Sequence, residues 1–127
     1  MFSDKTILVV DDSDMNNSVI KAILERYGAN VLLAQNGADA VDQFKKSADF
    51  SICAILMDIV MPIMDGLQAA KEIRALDRAD CKKIPIIAVT ASVDSCDKKS
   101  LLDSGMTDFL SKPIDPELLL DAIGSHL

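Results

Sequence analysis

Five short apolar runs alternate with five stretches of helical periodicity along the chain. The runs, at 6–10, 30–34, 52–57, 85–89 and 107–110, are rich in Val, Ile and Leu, and several are continuous rather than alternating. That is the pattern of strands covered on both faces in a parallel sheet. Between and after them, 14–27, 37–46, 67–75, 94–104 and 116–125 predict helices. Strict strand–helix alternation specifies a doubly wound parallel sheet with right-handed crossovers. For five strands it predicts the order 2-1-3-4-5, with ligands bound beyond the carboxyl ends of strands 1 and 3.

The helices carry their own punctuation. In the first, Val19, Ile20, Ile23, Leu24 and Tyr27 form an apolar stripe, and Gly28 is the stop signal. Asn36 is the expected N-cap of the second, with Val41 and Phe44 inward. The last opens on Asp115 as N-cap and Pro116 at its first position, and Leu118, Leu119, Ala122 and Ile123 are expected inward, with Leu120 opposite them as an exposed contact residue. The 94–104 helix is weakest, with Ser95, Asp97, Ser100, Asp103 and Ser104 offering poor propensity, and is expected to be the most mobile.

Composition narrows the function. With 127 residues, half of them hydrophobic, the chain can bury one good core. Twenty acidic against 13 basic residues leave a formal net charge of −7. An acidic surface repels phosphate backbones, which argues against direct nucleic-acid binding. No apolar run reaches membrane-spanning length and the first residues lack a signal-peptide layout, so a cytoplasmic location is expected. Cys53, Cys81 and Cys96 have no metal-like spacing. Cys53 reads as a small core residue and the other two as incidental.

The stretch from Ile55 to Gly66 concentrates the chemistry. An apolar strand stops on Asp58, Met61-Pro62 imposes a stiff extended loop, and Asp65-Gly66 turns into the next helix. Strand 1 ends in Asp11-Asp12, strand 4 in Thr90, and strand 5 is followed by Ser111-Lys112-Pro113. Singly, each is ordinary turn, cap or loop chemistry. The predicted strand order makes the four edges contiguous, so three carboxylates, a hydroxyl and an ammonium converge on one crevice. Packed carboxylates repel unless a cation joins them, and oxygen-only ligands suit a hard cation such as Mg²⁺. Lys112 can pair with an anion there and Thr90 can donate to it, which reads as a phosphoryl site with Asp58 as nucleophile.

Val9-Val10-Asp11-Asp12, Met57-Asp58-x-x-Met61-Pro62-x-Met64-Asp65-Gly66, Thr90-Ala91 and Phe109-Leu110-Ser111-Lys112-Pro113 resemble the signatures of response-regulator receiver domains, in order and across the whole chain. Asn16 and the ending Ser111-Lys112-Pro113-Ile114-Asp115 most resemble receivers of hybrid sensor histidine kinases and phosphorelays. The resemblance implies a single α/β, flavodoxin-like (βα)5 domain over residues 1–127. It implies that Asp58 accepts a phosphoryl group from a phosphohistidine of a sensor kinase or histidine phosphotransfer protein. Asp12 and Asp58, with Asp11 through water, and the backbone carbonyl of Val60 would hold Mg²⁺, while Lys112 and Thr90 would engage the phosphoryl group. Phe109 would be the switch aromatic, and a cis Lys112-Pro113 peptide is expected. The signal would pass to a downstream protein through the face formed by the 94–104 helix, strand 5 and the last helix.

Where the family varies, two residues beyond Asp58 and Thr90, this chain has Val60 and Ser92. Apolar Val60 cannot orient an attacking water, which predicts a long-lived phosphoryl state. The run Ser95-Cys96-Asp97-Lys98-Lys99 has no reading beyond partner specificity. Met15, off the core stripe and beside the acid pair, reads as an exposed edge residue. His126, alone near the end, has no partners at the strand ends. The competing function is a Mg²⁺-dependent hydrolase with an aspartyl-phosphate intermediate, resembling the haloacid-dehalogenase family. Such enzymes place a second Asp where Val60 stands, so a phosphoacceptor domain rather than an enzyme is expected. Five aromatics, none placed to stack a flavin, argue against a flavodoxin-type carrier.

Overall fold

The computed structural model describes residues 5–48, 51–59, 64–76, 83–90, 99, 103–111 and 114–126. The elements run β1 (Thr6–Val10), α1 (Asp14–Arg26), β2 (Asn30–Ala34), α2 (Gly37–Lys46), β3 (Ile52–Asp58), α3 (Gly66–Arg74), β4 (Ile86–Thr90), β5 (Asp108–Ser111) and the C-terminal helix (Pro116–His126). All strands are parallel and lie in the expected order β2-β1-β3-β4-β5. Most of the 94–104 segment, together with Cys81 and Cys96, lies outside the described residues. No helix among them is long and apolar enough to cross a membrane.

Two apolar layers sandwich the sheet, because alternate strand residues point to opposite faces. On one side Leu8, Val10, Ile55 and Met57 meet Phe44 of α2 and Ala69, Ala70 and Ile73 of α3. On the other, Ile7, Val9 and Leu56 meet Ile20 and Leu24 of α1 and Leu119 and Ile123 of the C-terminal helix. β3 is sealed along almost its whole length, and Cys53 is its one half-buried residue. β2, one of the two edge strands, lacks full two-sided cover, with Leu32 and Leu33 exposed.

The caps follow the local chemistry. Asn36 accepts from the Asp39 N–H at 2.8 Å, Asp65 from the Gln68 N–H at 2.9 Å and Asp115 from the Glu117 N–H at 2.9 Å. Gly28, just past α1, has φ of 95°, the left-handed value that glycine takes without strain. Arg74, at the end of α3, donates to the Gly105 carbonyl at 3.0 Å and to Thr107 Oγ1 at 3.2 Å, holding the approach to β5.

Two stripes differ from the sequence reading. In the C-terminal helix Leu118 is 58% exposed and Leu120 only 8%. The buried set is Leu119, Leu120, Ala122 and Ile123, so the helix is rolled by about half a residue, roughly 50°, from the expected phase. In α1, Val19 is 53% exposed and Tyr27, at the C-cap, 39%. Asn17, Ile20 and Leu24 form its buried line instead. His126 Nε2 stands 3.2 Å from Asp108 Oδ2, at the amino end of β5 and so away from the carboxyl edge of the sheet.

Candidate functional site

Parallel pairing aligns the carboxyl ends. Val10 pairs with Met57 and Asp58 with Val89, so the residues after β1, at the end of β3 and at the end of β4 stand side by side. Thr90 pairs with Ser111 at the next edge. The expected convergence of Asp11, Asp12 and Asp58 is present: one carboxylate oxygen from each lies within 4.8 Å of the others. Asp11 and Asp58 are buried and Asp12 is exposed. Thr90 is half-buried at the tip of β4, and Phe109 packs partly buried against the α2–α3 side of the core. Val60, Lys112 and Pro113 lie outside the described residues, as do the Val60 carbonyl ligand and the cis peptide expected there.

The electrostatics call for a cation. Carboxylate oxygens of the buried Asp11 and Asp58 come within 4.8 Å of each other, and like charges this close repel unless a cation joins them. A divalent ion turns that repulsion into binding. The donor set is all oxygen, which fits a hard cation, and exposed Asp12 leaves one side open to water or a phosphoryl oxygen.

Asp11 is held rather than merely adjacent. Asp11 Oδ1 accepts from the Ser13 N–H at 2.9 Å, and Asp11 Oδ2 from Asn16 Nδ2 at 3.3 Å. Ser13 in turn caps α1, its Oγ accepting from the Asn16 N–H at 3.3 Å. Behind them Asn17, buried at 2% exposure, donates from Nδ2 to the Asp11 carbonyl at 3.0 Å and the Ala34 carbonyl at 3.3 Å. Sequence reading passed over Ser13 and Asn17. The available signal was spacing, since Asn17 lies three residues before Ile20 and seven before Leu24, on the buried line.

Beside the acids a cavity of about 540 Å³ is lined by Asp11, Met15, Asn16, Val19, Val89 and Ile114 among others. Its lip is apolar and solvent-facing, with Met15 75% exposed. A second groove runs between β5 and the C-terminal helix, past Phe109 and exposed Leu118.

Comparison with known proteins agrees with this geometry. Residues 7–124 match the response regulator receiver domain. Hybrid signal transduction histidine kinase I of Dictyostelium discoideum is 41% identical over 123 residues, which cover 95% of this chain and 7% of that protein. Sensor protein GacS of Pseudomonas syringae is 39% identical over 118 residues, covering 92% of this chain and 13% of GacS. The chain thus spans a small fraction of these curated relatives. Among solved structures, chemotaxis protein CheY4 of Vibrio cholerae superposes with a TM-score of 0.89 at 28% identity, covering 98% of this chain and all of that one. The receiver domain of a sensor histidine kinase from Pseudomonas aeruginosa, solved with a magnesium ion coordinated in its active site cleft, gives 0.86 at 35% identity and 98% coverage of both chains. The strand order, the acid cluster and the match over nearly the whole chain converge, and the chain belongs to the response regulator receiver domain family of two-component signalling.

Proposed function

We propose that this receiver accepts a phosphoryl group on Asp58 from a phosphohistidine, with Mg²⁺ held by Asp11, Asp12, Asp58 and the Val60 carbonyl. The carrying observation is the three-carboxylate cluster at the carboxyl ends of β1 and β3. A bound Mg²⁺ offsets the charge of the incoming group and of the cluster itself. Asp58 is the acceptor because it ends the most buried strand, where its position is fixed. Lys112 pairs with the new phosphoryl group, Thr90 donates to it, and Phe109 follows Thr90. The donor is a sensor kinase or a histidine phosphotransfer protein, in keeping with the hybrid histidine kinase and sensor-protein relatives. The apolar lip of Met15 and Val19 beside the acids supports donor docking there. The β5 groove with Leu118 supports a downstream protein contact in which the 94–104 segment takes part.

We read the module as a phosphoacceptor rather than a hydrolase, and as acting in the cytoplasm where its donors work. The hydrolase reading needs an acid two residues beyond the nucleophile, and Val60 stands there. Acetyl phosphate, or beryllofluoride as a stable phosphoryl mimic, applied with Mg²⁺ to wild type and Asp58→Asn tests the proposal. One adduct per wild-type chain and none on Asp58→Asn is expected. An adduct that survives the substitution refutes the assignment, and sustained phosphate release from small phosphomonoesters would favour the hydrolase.

A further inference from the structure

We propose that Asn17 is a positioning residue for the cation site: its buried amide fastens the chain at Asp11 and thereby sets where the Asp11 and Asp12 carboxylates stand. This rests on reading Asp11, Asp12 and Asp58 as a Mg²⁺ site.

Position 17 belongs to the buried line of α1, with Ile20 and Leu24. An apolar residue is what that line ordinarily holds. The amide buried there meets no hydrogen-bond donor at Oδ1 among the described residues, and an unpaired buried oxygen is destabilising. What it supplies is a single nitrogen shared by two carbonyls, Asp11 at 3.0 Å and Ala34 at 3.3 Å. Both acceptors require Nδ2, which fixes the orientation of the amide.

The bonds close a circuit around the metal ligands. The Asp11 N–H donates to the Ala34 carbonyl at 3.1 Å, so Asn17 extends the β1–β2 ladder beyond its last paired residues. The Asn17 N–H donates to the Ser13 carbonyl at 3.0 Å, and the Ser13 N–H to Asp11 Oδ1 at 2.9 Å. Asp12 is the single residue between Asp11, held by the Asn17 side chain, and Ser13, held by a helical backbone bond that any residue at position 17 supplies. Its exposed carboxylate is therefore aimed by the backbone on either side of it. Groups that orient metal ligands in this way commonly change affinity by about 10- to 100-fold when removed.

The test compares Asn17→Leu and Asn17→Ala with wild type by calorimetric titration of Mg²⁺ and by urea unfolding without metal. Mg²⁺ affinity is expected to fall about tenfold in both, while Asn17→Leu keeps a metal-free urea midpoint at or above that of wild type. Affinity within twofold of wild type in both variants overturns the proposal. So does a loss of affinity that appears only in step with a lowered metal-free midpoint, the signature of a purely structural residue. Should neither variant fold, wild-type protein decides: the Asn17 side-chain amide signals in an ¹⁵N–¹H spectrum must shift with the same Mg²⁺ midpoint as the Asp11 backbone amide, and unmoved signals overturn it. If wild type binds no Mg²⁺, or Asp12→Ala binds it equally well, the cation site falls and this inference with it. If wild type binds, Asp12→Ala does not and the Asn17 variants bind normally, only the positioning role falls.

Discussion

Gly66→Ala adds one methyl group at the place where α3 is pressed against the end of β3. A Cβ on Gly66 would collide with the Asp58 carbonyl oxygen and stand 3.0 Å from Met57 Cγ, where ordinary contact begins near 3.4 Å. The gap must widen by about 1 Å, and the obstacle is strand backbone, which cannot rotate aside. The Gly66 N–H also donates to the Ile59 carbonyl at 3.0 Å, so the same movement strains a hydrogen bond worth about 1 kcal/mol. Overpacking of this kind costs about 1–3 kcal/mol. Alanine's better helix propensity returns less than about 1 kcal/mol at the first helical position. We expect Gly66→Ala to lose about 1–3 kcal/mol in urea unfolding. The displacement also moves the Asp58 carboxylate, the proposed acceptor, and misplacement by about 1 Å can cost about 100-fold in rate. The rate of phosphorylation by acetyl phosphate should therefore fall further than stability alone explains. Gly124→Ala, at an exposed site inside the C-terminal helix, is the matched control and should gain up to about 1 kcal/mol. A Gly66→Ala protein with the wild-type midpoint and a rate within twofold would refute the packing argument.

Two further outcomes follow from particular side chains. Val60→Asn should shorten the phosphoryl half-life severalfold, measured by decay of the labelled protein after removal of donor; a wild-type half-life no longer than the variant's would remove the case for a persistent signal. Arg74→Ala should lose about 1–2 kcal/mol in urea unfolding as its bonds to Gly105 and Thr107 go. Arg74→Lys should recover only part, since an ammonium lacks the planar fork that reaches both acceptors, and full recovery would count against the two-acceptor arrangement.

What the sequence revealed was what is local or strongly periodic. Asn36, Asp65 and Asp115 were legible as caps because a cap is set by residues two or three positions away. The strand order and the meeting of Asp11, Asp12 and Asp58 were legible because strict alternation leaves few topologies. The phase of the C-terminal helix was not: Leu118-Leu119-Leu120 is apolar on three successive sides, and tertiary packing alone decides which one is left out. Val19 is apolar yet borders the cavity beside the acids, where α1 overhangs the sheet edge. Asn17 was missed for the opposite reason: its spacing places it on the buried line with Ile20 and Leu24, but as a polar residue it reads as surface when only apolar residues are counted.

β3 is bonded on one side to β1 and on the other to β4, and both of its faces are covered. Its amides can exchange with solvent only when the sheet is split in two, so they should report global unfolding, whereas β5, a half-exposed edge, can open on its own. The residue proposed to receive the phosphoryl group is thus mounted on the least yielding part of the molecule. Work done at Asp58 is not absorbed by its own strand but delivered outward to the margin, where the free energy of local rearrangement is smallest. On the proposed phosphoacceptor reading, such an arrangement would keep the geometry at Asp58 constant and confine any change that a partner reads to the periphery.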